Sequence, residues 1–192
     1  MNALDDSYKE RLIELITDSS ELMTVLGCVK SLSLRSWCIG AGAVRNLVWD
    51  TLHGQRSEFN SDVDVVFFDA DSPPHRDTEF ELQLCSMIPS IDWEVTNQAH
   101  IHLWFENAIG RAVRPLGSLE DGISTWPEYA TCVGVYIADD DSIGIIAPHG
   151  LEDLFTLKVR HNPARATVEE FSERILRKRF RERWPHLAIV DA

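Results

Sequence analysis

The chain has 192 residues, with 18 basic and 31 acidic side chains, so its formal net charge is −13. This length and a hydrophobic content of 44% predict one globular domain over residues 1–192, and they exclude a disordered, collagen-like or coiled-coil chain. No apolar run approaches the ~20 residues of a membrane helix, and the first residues lack the basic region of a signal peptide. We therefore expect a cytoplasmic protein without membrane contacts.

The hydrophobic periodicity predicts alternating helices and strands in the first half of the chain. A capping box of Ser7 and Glu10 is expected to open the first helix, because each side chain can satisfy a free backbone amide. Alternation of acids with valines is typical of a strand over residues 61–68. The predicted elements are N-terminal helices at 7–27, a strand at 36–39, a helix from 44 to about 54, a strand at 61–68, a helix at 79–87 and a strand region at 91–103 that is either continuous or broken around Asn97.

The second half of the chain predicts shorter elements and a basic C-terminal helix. From residue 158 onward there are nine basic and five acidic residues, although the whole chain is acidic. Such a segment could meet a small polyanion, or it could be a solvated helix face. The predicted elements are a helix at 119–126, a hairpin of strands at 131–137 and 143–146, a helix at 148–155 and a final helix at 167–184. This order indicates an α+β or α/β fold, with helices packed on a mixed sheet.

Two acids that alternate with valines, Asp62 and Asp64, are the first candidate functional residues. Successive side chains of a strand point to opposite faces, so both acids share one face while Val63 and Val65 enter the core. Two close carboxylates repel each other unless a cation lies between them, and oxygen ligands at this spacing suit magnesium. An exposed edge strand whose outward residues happen to be acidic would give the same pattern.

A glycine-containing turn, Gly40 to Gly42, leads from a predicted strand into a predicted helix upstream of these acids. Glycine lets the backbone approach a ligand closely, and the start of a helix presents free amides, so such a turn is suited to holding phosphate groups. Arg45, one turn into the helix, adds a guanidinium that can grip phosphate, or it forms an ordinary surface salt bridge. A phosphate-binding turn followed by paired aspartates on the next strand indicates a nucleotide site.

These motifs resemble those of the nucleotidyltransferase superfamily, which includes DNA polymerase beta and the CCA-adding enzymes. Residues 41–46 and 62–64 are similar to its Gly-Gly-x-Val-Arg-Asp and Asp-x-Asp motifs. Ala41 stands in place of the first glycine, and Asn46 stands where the CCA-adding enzymes have Asp. More closely, the chain resembles a small bacterial nucleotidyltransferase family of unassigned substrate. The segments that carry this closer resemblance are 42–50, 62–66, 93–102, 148–155 and 184–187.

The resemblance implies a polymerase-beta-like α+β fold, with a small mixed β-sheet flanked by helices. It also implies a third carboxylate, for which Glu94 and Asp92 are both candidates because they face the same way on an extended chain. Glu94 is favoured, since it lies inside one of the family segments. The expected catalytic residues and ligands of two magnesium ions are Asp62, Asp64 and Glu94, and the expected triphosphate-binding residues are Gly40, Ala41, Gly42 and Arg45.

The expected reaction moves a nucleoside monophosphate from a nucleoside triphosphate such as ATP to an acceptor, with release of pyrophosphate. The acidic charge favours a small-molecule or protein acceptor over a nucleic acid. The chain is also too short for the large helical RNA-binding region of CCA-adding enzymes, so a tRNA acceptor is not carried over. The alternative is a non-catalytic nucleotide-binding or interaction module of the same fold, against which the retention of three acids argues.

Overall fold

The structure, a computed structural model, describes residues 3–56 and 62–190, and its centre is a five-stranded sheet. The strands are β1 (Trp37–Gly40), β2 (Val63–Phe67), β3 (Trp93–Asn97), β4 (Gly134–Ile137), β5 (Ile143–Ile146), β6 (Lys158–Arg160) and β7 (Ala188–Val190). The large sheet has the order β3-β2-β1-β4-β5, and β6 and β7 form a separate parallel pair. Because β2 and β3 run parallel whereas the other neighbours are antiparallel, the sheet is mixed, which confirms the predicted fold class.

The helices pack around this sheet through their apolar faces. They are α1 (Ala3–Asp18), α2 (Ser20–Ser31), α3 (Gly42–Leu52), α4 (Arg76–Met87), α5 (Ile101–Ile109), α6 (Leu119–Ile123), α7 (Glu152–Phe155), α8 (Val168–Arg177) and α9 (Phe180–Arg183). The second, third and fourth helices contact β4, β1 and β3 respectively, and α1 packs on both α2 and α3. Among the described residues, no helix has the length and apolar character needed to cross a membrane.

Strand alternation gives the sheet two different faces. Val63 and Val65 are fully buried in the main hydrophobic core, as predicted. Val66 points the other way and joins a smaller apolar cluster with Cys38 of β1 and Ile123 of α6. The odd-numbered residues of β2 therefore anchor the sheet to the main core, and the even-numbered ones are left for the opposite face, which only α6 and its neighbours cover.

The third strand ends at Asn97, where the sequence left a break open, and the chain from residue 98 to 103 is helical, so the predicted strand is wrong there. Asn97 is fully buried, and its Oδ1 accepts hydrogen bonds from the backbone N–H groups of Asp69 and Ala99 at 3.1 Å each. Its Nδ2 donates to the Asp69 carbonyl at 2.7 Å. This amide therefore caps a 3₁₀ turn at Gln98–His100, which leads into α5 and takes the chain out of the sheet.

The first helix starts earlier than the capping box predicts. It begins at Ala3, so Ser7 lies inside the helix rather than at its N-cap. Asp5 and Asp6 occupy the first turn, where their negative charge complements the partial positive charge of the helix N-terminus.

The predicted C-terminal helix at 167–184 is broken into two. Thr167 caps α8 through a capping box with Glu170, and α8 ends at Arg177. Arg179 then adopts a left-handed conformation with φ 53°, after which the chain resumes as α9. The break allows the rings of Phe180 and Trp184, which are both fully buried, to pack against α3.

Candidate active site

Three acids, Asp62, Asp64 and Glu94, line one cleft beside the edge strand β3 and its neighbour β2. Asp64 lies opposite Glu94, because the two parallel strands pair with these residues in register. Asp62 precedes β2 by one residue and shares the face of Asp64. All three line a cleft of about 680 Å³. Asp92 lies ahead of β3, where its carbonyl accepts a hydrogen bond from the Val63 amide, and it is absent from the described lining of this cleft.

The carboxyl of Asp64 lies in an unfavourable environment for a negative charge. Burial raises its pKa to about 6, with additional repulsion from Glu94 and Asp62. Lys178 and Arg174 act in the opposite direction but do not outweigh these causes. A cation placed among the three acids would relieve the repulsion, so the ionised form of Asp64 would be stabilised by a metal.

The chemistry of these side chains fits a hard divalent cation such as magnesium, which prefers carboxylate oxygens. Within residues 3–56 and 62–190, no three His, Cys, Asp or Glu side chains are gathered into a ready metal-binding group. Instead, Lys178 Nζ lies 3.5 Å from Asp62 Oδ2, with side chains 32% and 37% exposed respectively. Both side chains are partly exposed to solvent, so this ion pair is weak.

The turn between β1 and α3 presents its backbone to the same cleft. Ala41 and Gly42 line the cleft, and α3 begins at Gly42. Ala41 has φ 48° and ψ −112°, a conformation that favours glycine and strains an alanine. Since Ala41 provides no side-chain cap, the first amides of α3 are available to an anion.

The third member of the turn, Gly40, contributes through packing. A Cβ at this position would lie 2.3 Å from a ring carbon of Trp126 and 3.1 Å from the carbonyl oxygen of Val133. The indole of Trp126, which lines the cleft, therefore rests on the backbone of Gly40. Glycine here shapes the cleft wall.

Arg45 is enclosed by aromatic rings and is not part of a surface salt bridge. It is 2% exposed, and its Cζ lies 4.7 Å from the ring centre of Phe180, 5.4 Å from Trp49 and 5.6 Å from Trp184. Its Nη2 donates to Asn46 Oδ1 at 2.9 Å, and burial lowers its pKa to about 10. Arg45 lines the cleft, and its buried Nη1 has no hydrogen-bond partner in the described chain, so one donor remains for a ligand.

Glu128 is a buried charged residue that no pattern in the sequence indicates. It is fully buried, and its Oε1 accepts a hydrogen bond from Arg174 Nε at 2.5 Å while its Oε2 accepts from Thr131 Oγ1 at 2.8 Å. This ion pair fixes α8 beside the sheet. A lone glutamate carries no recognisable pattern, so only the fold reveals its role.

The basic C-terminal segment forms one wall of the cleft. Arg174, Arg177 and Lys178 all line it, together with Asp62, Asp64 and Glu94. Of the two interpretations left open by the charge distribution, a solvated face and a surface for a small polyanion, this placement favours the second. Acids and bases thus line the same cleft, and Lys178 already pairs with Asp62.

Comparison with known structures identifies the fold. An NMR structure described as a CCA-adding enzyme head domain matches with a TM-score of 0.80 and 28% identity, covering 95% of this chain and 96% of that chain. A complex of a CCA-adding enzyme with CTP matches with a TM-score of 0.55 and 15% identity, which shows a shared fold. That match covers 94% of this chain and 43% of the enzyme, so the chain spans less than half of its length.

Comparison with known sequences identifies the family. No curated protein matches the chain. The model of a protein family described as nucleotidyltransferase matches residues 27–189, a span that contains the turn before α3, the acids of β2 and β3, and α8. The chain therefore belongs to this family of nucleotidyltransferases.

Proposed function

We propose that this nucleotidyltransferase moves a nucleoside monophosphate from a nucleoside triphosphate to a small-molecule or protein acceptor in a magnesium-dependent reaction. The main support is the position of Asp62, Asp64 and Glu94 in one cleft with the N-terminus of α3. Carboxylates suit a metal and helix amides suit phosphates, and a metal–triphosphate complex needs both.

In this proposal Asp62, Asp64 and Glu94 hold two magnesium ions. When bound, magnesium neutralises charge on the phosphates and stabilises the attacking and leaving oxygens. The raised pKa of Asp64 supports this assignment, because repulsion among acids weakens the metal-free cleft and a cation removes it. The ion pair with Lys178 would then be broken, and its ammonium would be free to contact a phosphate oxygen.

The other cleft residues orient the triphosphate for displacement. The β- and γ-phosphates lie on the amides of Ala41 and Gly42, and the α-phosphate faces the two aspartates. An acceptor hydroxyl or amine attacks the α-phosphorus, the bond from phosphorus to the bridging oxygen breaks, and pyrophosphate leaves with both electrons. Glu94, which is exposed beside Asp64, takes the proton of the attacking group.

The acceptor is proposed from charge. The net charge of −13 repels a long polyanion, so a small molecule or a protein is favoured. The structures described as CCA-adding enzymes make a tRNA end the obvious rival acceptor. The experiment therefore has to separate these classes.

The test is to incubate the protein with magnesium, a cell extract and each of the four nucleoside triphosphates, labelled at the α-phosphate. The label is then followed separately into small molecules, proteins and RNA. Asp64→Asn should lower transfer by orders of magnitude, because the variant loses a metal ligand. The matched control is Asp71→Asn, an exposed aspartate in the loop beyond β2, which should transfer as the parent does.

Three results would contradict the proposal. Transfer that survives removal of magnesium by a chelator would exclude metal dependence. Label found in RNA would replace the proposed acceptor class with a nucleic acid. Tight triphosphate binding with no transfer in any extract would support the alternative of a non-catalytic binding module.

A further inference from the structure

A second chamber, of about 620 Å³, opens from the candidate active site. The chamber and the cleft share a wall that includes Gln98, Trp104 and Trp126. The turn before α3 and the three acids line the cleft and are not among the described residues that line the chamber. A molecule could therefore occupy the chamber and still reach the acids.

The chamber has an aromatic wall. Trp104 and Phe105 of α5 line it, together with Trp126. Trp104 is 47% exposed, which is unusual for a residue whose large ring contributes most when it is buried. A flat apolar body that enters the chamber would cover this ring.

The chamber is also basic, in a protein that is acidic overall. Four arginines and two glutamates line it. Two of the arginines have acidic partners, since Arg111 pairs with Glu170 at 3.0 Å and Arg174 pairs with Glu128. The other two, Arg165 and Arg177, form no ion pair with any residue in the described ranges, so their charges are available to a ligand.

Arg165 is the most informative of these cations. It is half-buried, its Cζ lies 5.3 Å from the ring centre of Phe105, and burial lowers its pKa. The charge of Asp121 favours its ionised form, but Asp121 pairs with Arg114 at 3.8 Å and makes no ion pair with Arg165. A partly desolvated guanidinium of this kind gains from an anion that binds it directly. The stacked ring also fixes the guanidinium in position, so it loses little freedom when it binds one.

The direction of attack relates the chamber to the reaction. In-line displacement requires the acceptor to approach the α-phosphorus from the side opposite the leaving pyrophosphate. If pyrophosphate lies at the turn of Ala41 and Gly42, the acceptor enters from the part of the cleft that lies away from that turn. The chamber meets the cleft at Gln98 and Trp104, and Ala41 and Gly42 are not among the described residues that line the chamber. An acceptor in the chamber would therefore approach from this part of the cleft.

We propose that the chamber is the acceptor site and that it takes a small molecule with a flat apolar or aromatic body and one anionic group. The body packs on Trp104 and Trp126, and the anion, a carboxylate or a phosphate, binds Arg165. This inference rests on the proposed function for the role of the chamber, whereas the preference for an aromatic anion follows from the chamber itself.

The test uses two fluorescent probes on the full chain, the anion 8-anilinonaphthalene-1-sulfonate and its uncharged analogue N-phenyl-1-naphthylamine. The anion should bind about tenfold more tightly, as expected for one charge-assisted hydrogen bond. Arg165→Gln should remove that preference, whereas Arg181→Gln, at an exposed arginine of α9 outside the chamber, should keep it. Trp104→Ala should weaken both probes alike, and since this side chain is half exposed the variant should fold.

Equal binding of the two probes, or a preference that survives Arg165→Gln, would overturn the anion site. In a final step, magnesium and each nucleoside triphosphate are added to the protein with its bound probe. Displacement of the anionic probe would assign the chamber to the nucleoside and overturn the acceptor role. Unchanged probe binding would support the acceptor role. Probes with a carboxylate or a phosphate in place of the sulfonate show which anion is preferred. Triphosphate binding is measured separately on the same samples by calorimetry. If no triphosphate binds, the proposed function is contradicted, whereas the anion site in the chamber is not affected.

Discussion

Strand alternation places Asp64 on the face opposite the buried side chains of Val63 and Val65. Its carboxyl is still largely removed from water and lies near two other acids, so its negative charge destabilises the folded chain. Its pKa in the folded state is about 6, above the ordinary value of 3.8. Between these values the folded chain binds more protons than the unfolded chain, so stability falls as the pH rises through this window. The full destabilisation is present above about pH 6 and disappears below about pH 4.

We therefore predict that Asp64→Asn stabilises the metal-free protein. The free energy of unfolding should rise by about 1–3 kcal/mol at neutral pH, because the amide removes the buried charge and its repulsion. Urea denaturation in the presence of a chelator, repeated from pH 4 to pH 7, measures the effect and its pH dependence. Asp92→Asn, at an exposed acid ahead of β3, should change the free energy by less than about 0.5 kcal/mol. A marked loss of stability in Asp64→Asn would mean that this carboxylate holds the fold together.

Ala41 has a strained backbone conformation. Its positive φ suits glycine, so Ala41→Gly should raise the free energy of unfolding by about 0.5–1 kcal/mol, the released strain exceeding the added freedom of the unfolded chain. Thermal melts measure this change. Ala43→Gly, which alters a buried residue in the first turn of α3, should instead lower stability by about 1 kcal/mol. A lower melting temperature for Ala41→Gly would contradict the account of the turn.

The sequence predicts the positions of some cleft residues and not the surroundings of others. Alternation alone places Asp62 and Asp64 on one face, because a strand has a period of two. The surroundings of Arg45 could not be predicted, since two of its three aromatic neighbours lie more than a hundred residues away along the chain. Glu128 was missed for the same reason, because its partner Arg174 lies on a distant helix.

At the scale of elements, the ion pair between Glu128 and Arg174 fixes α8 against the body of the protein. Removing one member leaves the other charge without its partner, which is strongly destabilising for buried pairs. Because the Arg174 side chain is 20% exposed, we predict a loss of about 2–3 kcal/mol for Glu128→Gln, below the range for fully buried pairs.

A double-variant cycle checks this prediction. Glu128→Gln, Arg174→Gln and the double variant are compared by urea denaturation. The double variant should lose less than the sum of the single losses, since no charge is left unpaired. Additive losses would mean that the two side chains stabilise the protein independently. Hydrogen exchange should also be faster in α8 than in α2 in the single variants.

The bounds of the elements show where local patterns stop being sufficient. The periodicity of residues 167–184 fits one helix, but burial of Phe180 and Trp184 against α3 requires the break at Arg179. The chain after Asn97 has apolar residues that suit a strand, yet the side-chain hydrogen bonds of Asn97 to Asp69 end it. In both cases tertiary contacts decide the outcome.

At the scale of the molecule, the uneven charge distribution acquires a structural meaning. The acidic body contributes the carboxylates at β2 and β3, and the basic C-terminal segment contributes the cationic side chains that line the same cleft. The sequence shows the difference in charge between the acidic body and the basic C-terminal segment. It does not show that side chains of both line the same cleft. The second chamber was equally hidden, because its lining comes from α5, α8 and the connecting segments near Trp126 and Arg165.

The central claim, that the acids of β2 and β3 perform transfer, is tested most directly by Glu94→Gln beside Asp92→Asn. Triphosphate affinity by calorimetry and pyrophosphate release with an active extract are measured on each. Glu94→Gln should bind the triphosphate nearly as the parent does, because the turn before α3 and both aspartates remain, and should release pyrophosphate more slowly by orders of magnitude. Asp92→Asn should match the parent in both. Equal release from Glu94→Gln and the parent would contradict the account and make Asp92 the next candidate.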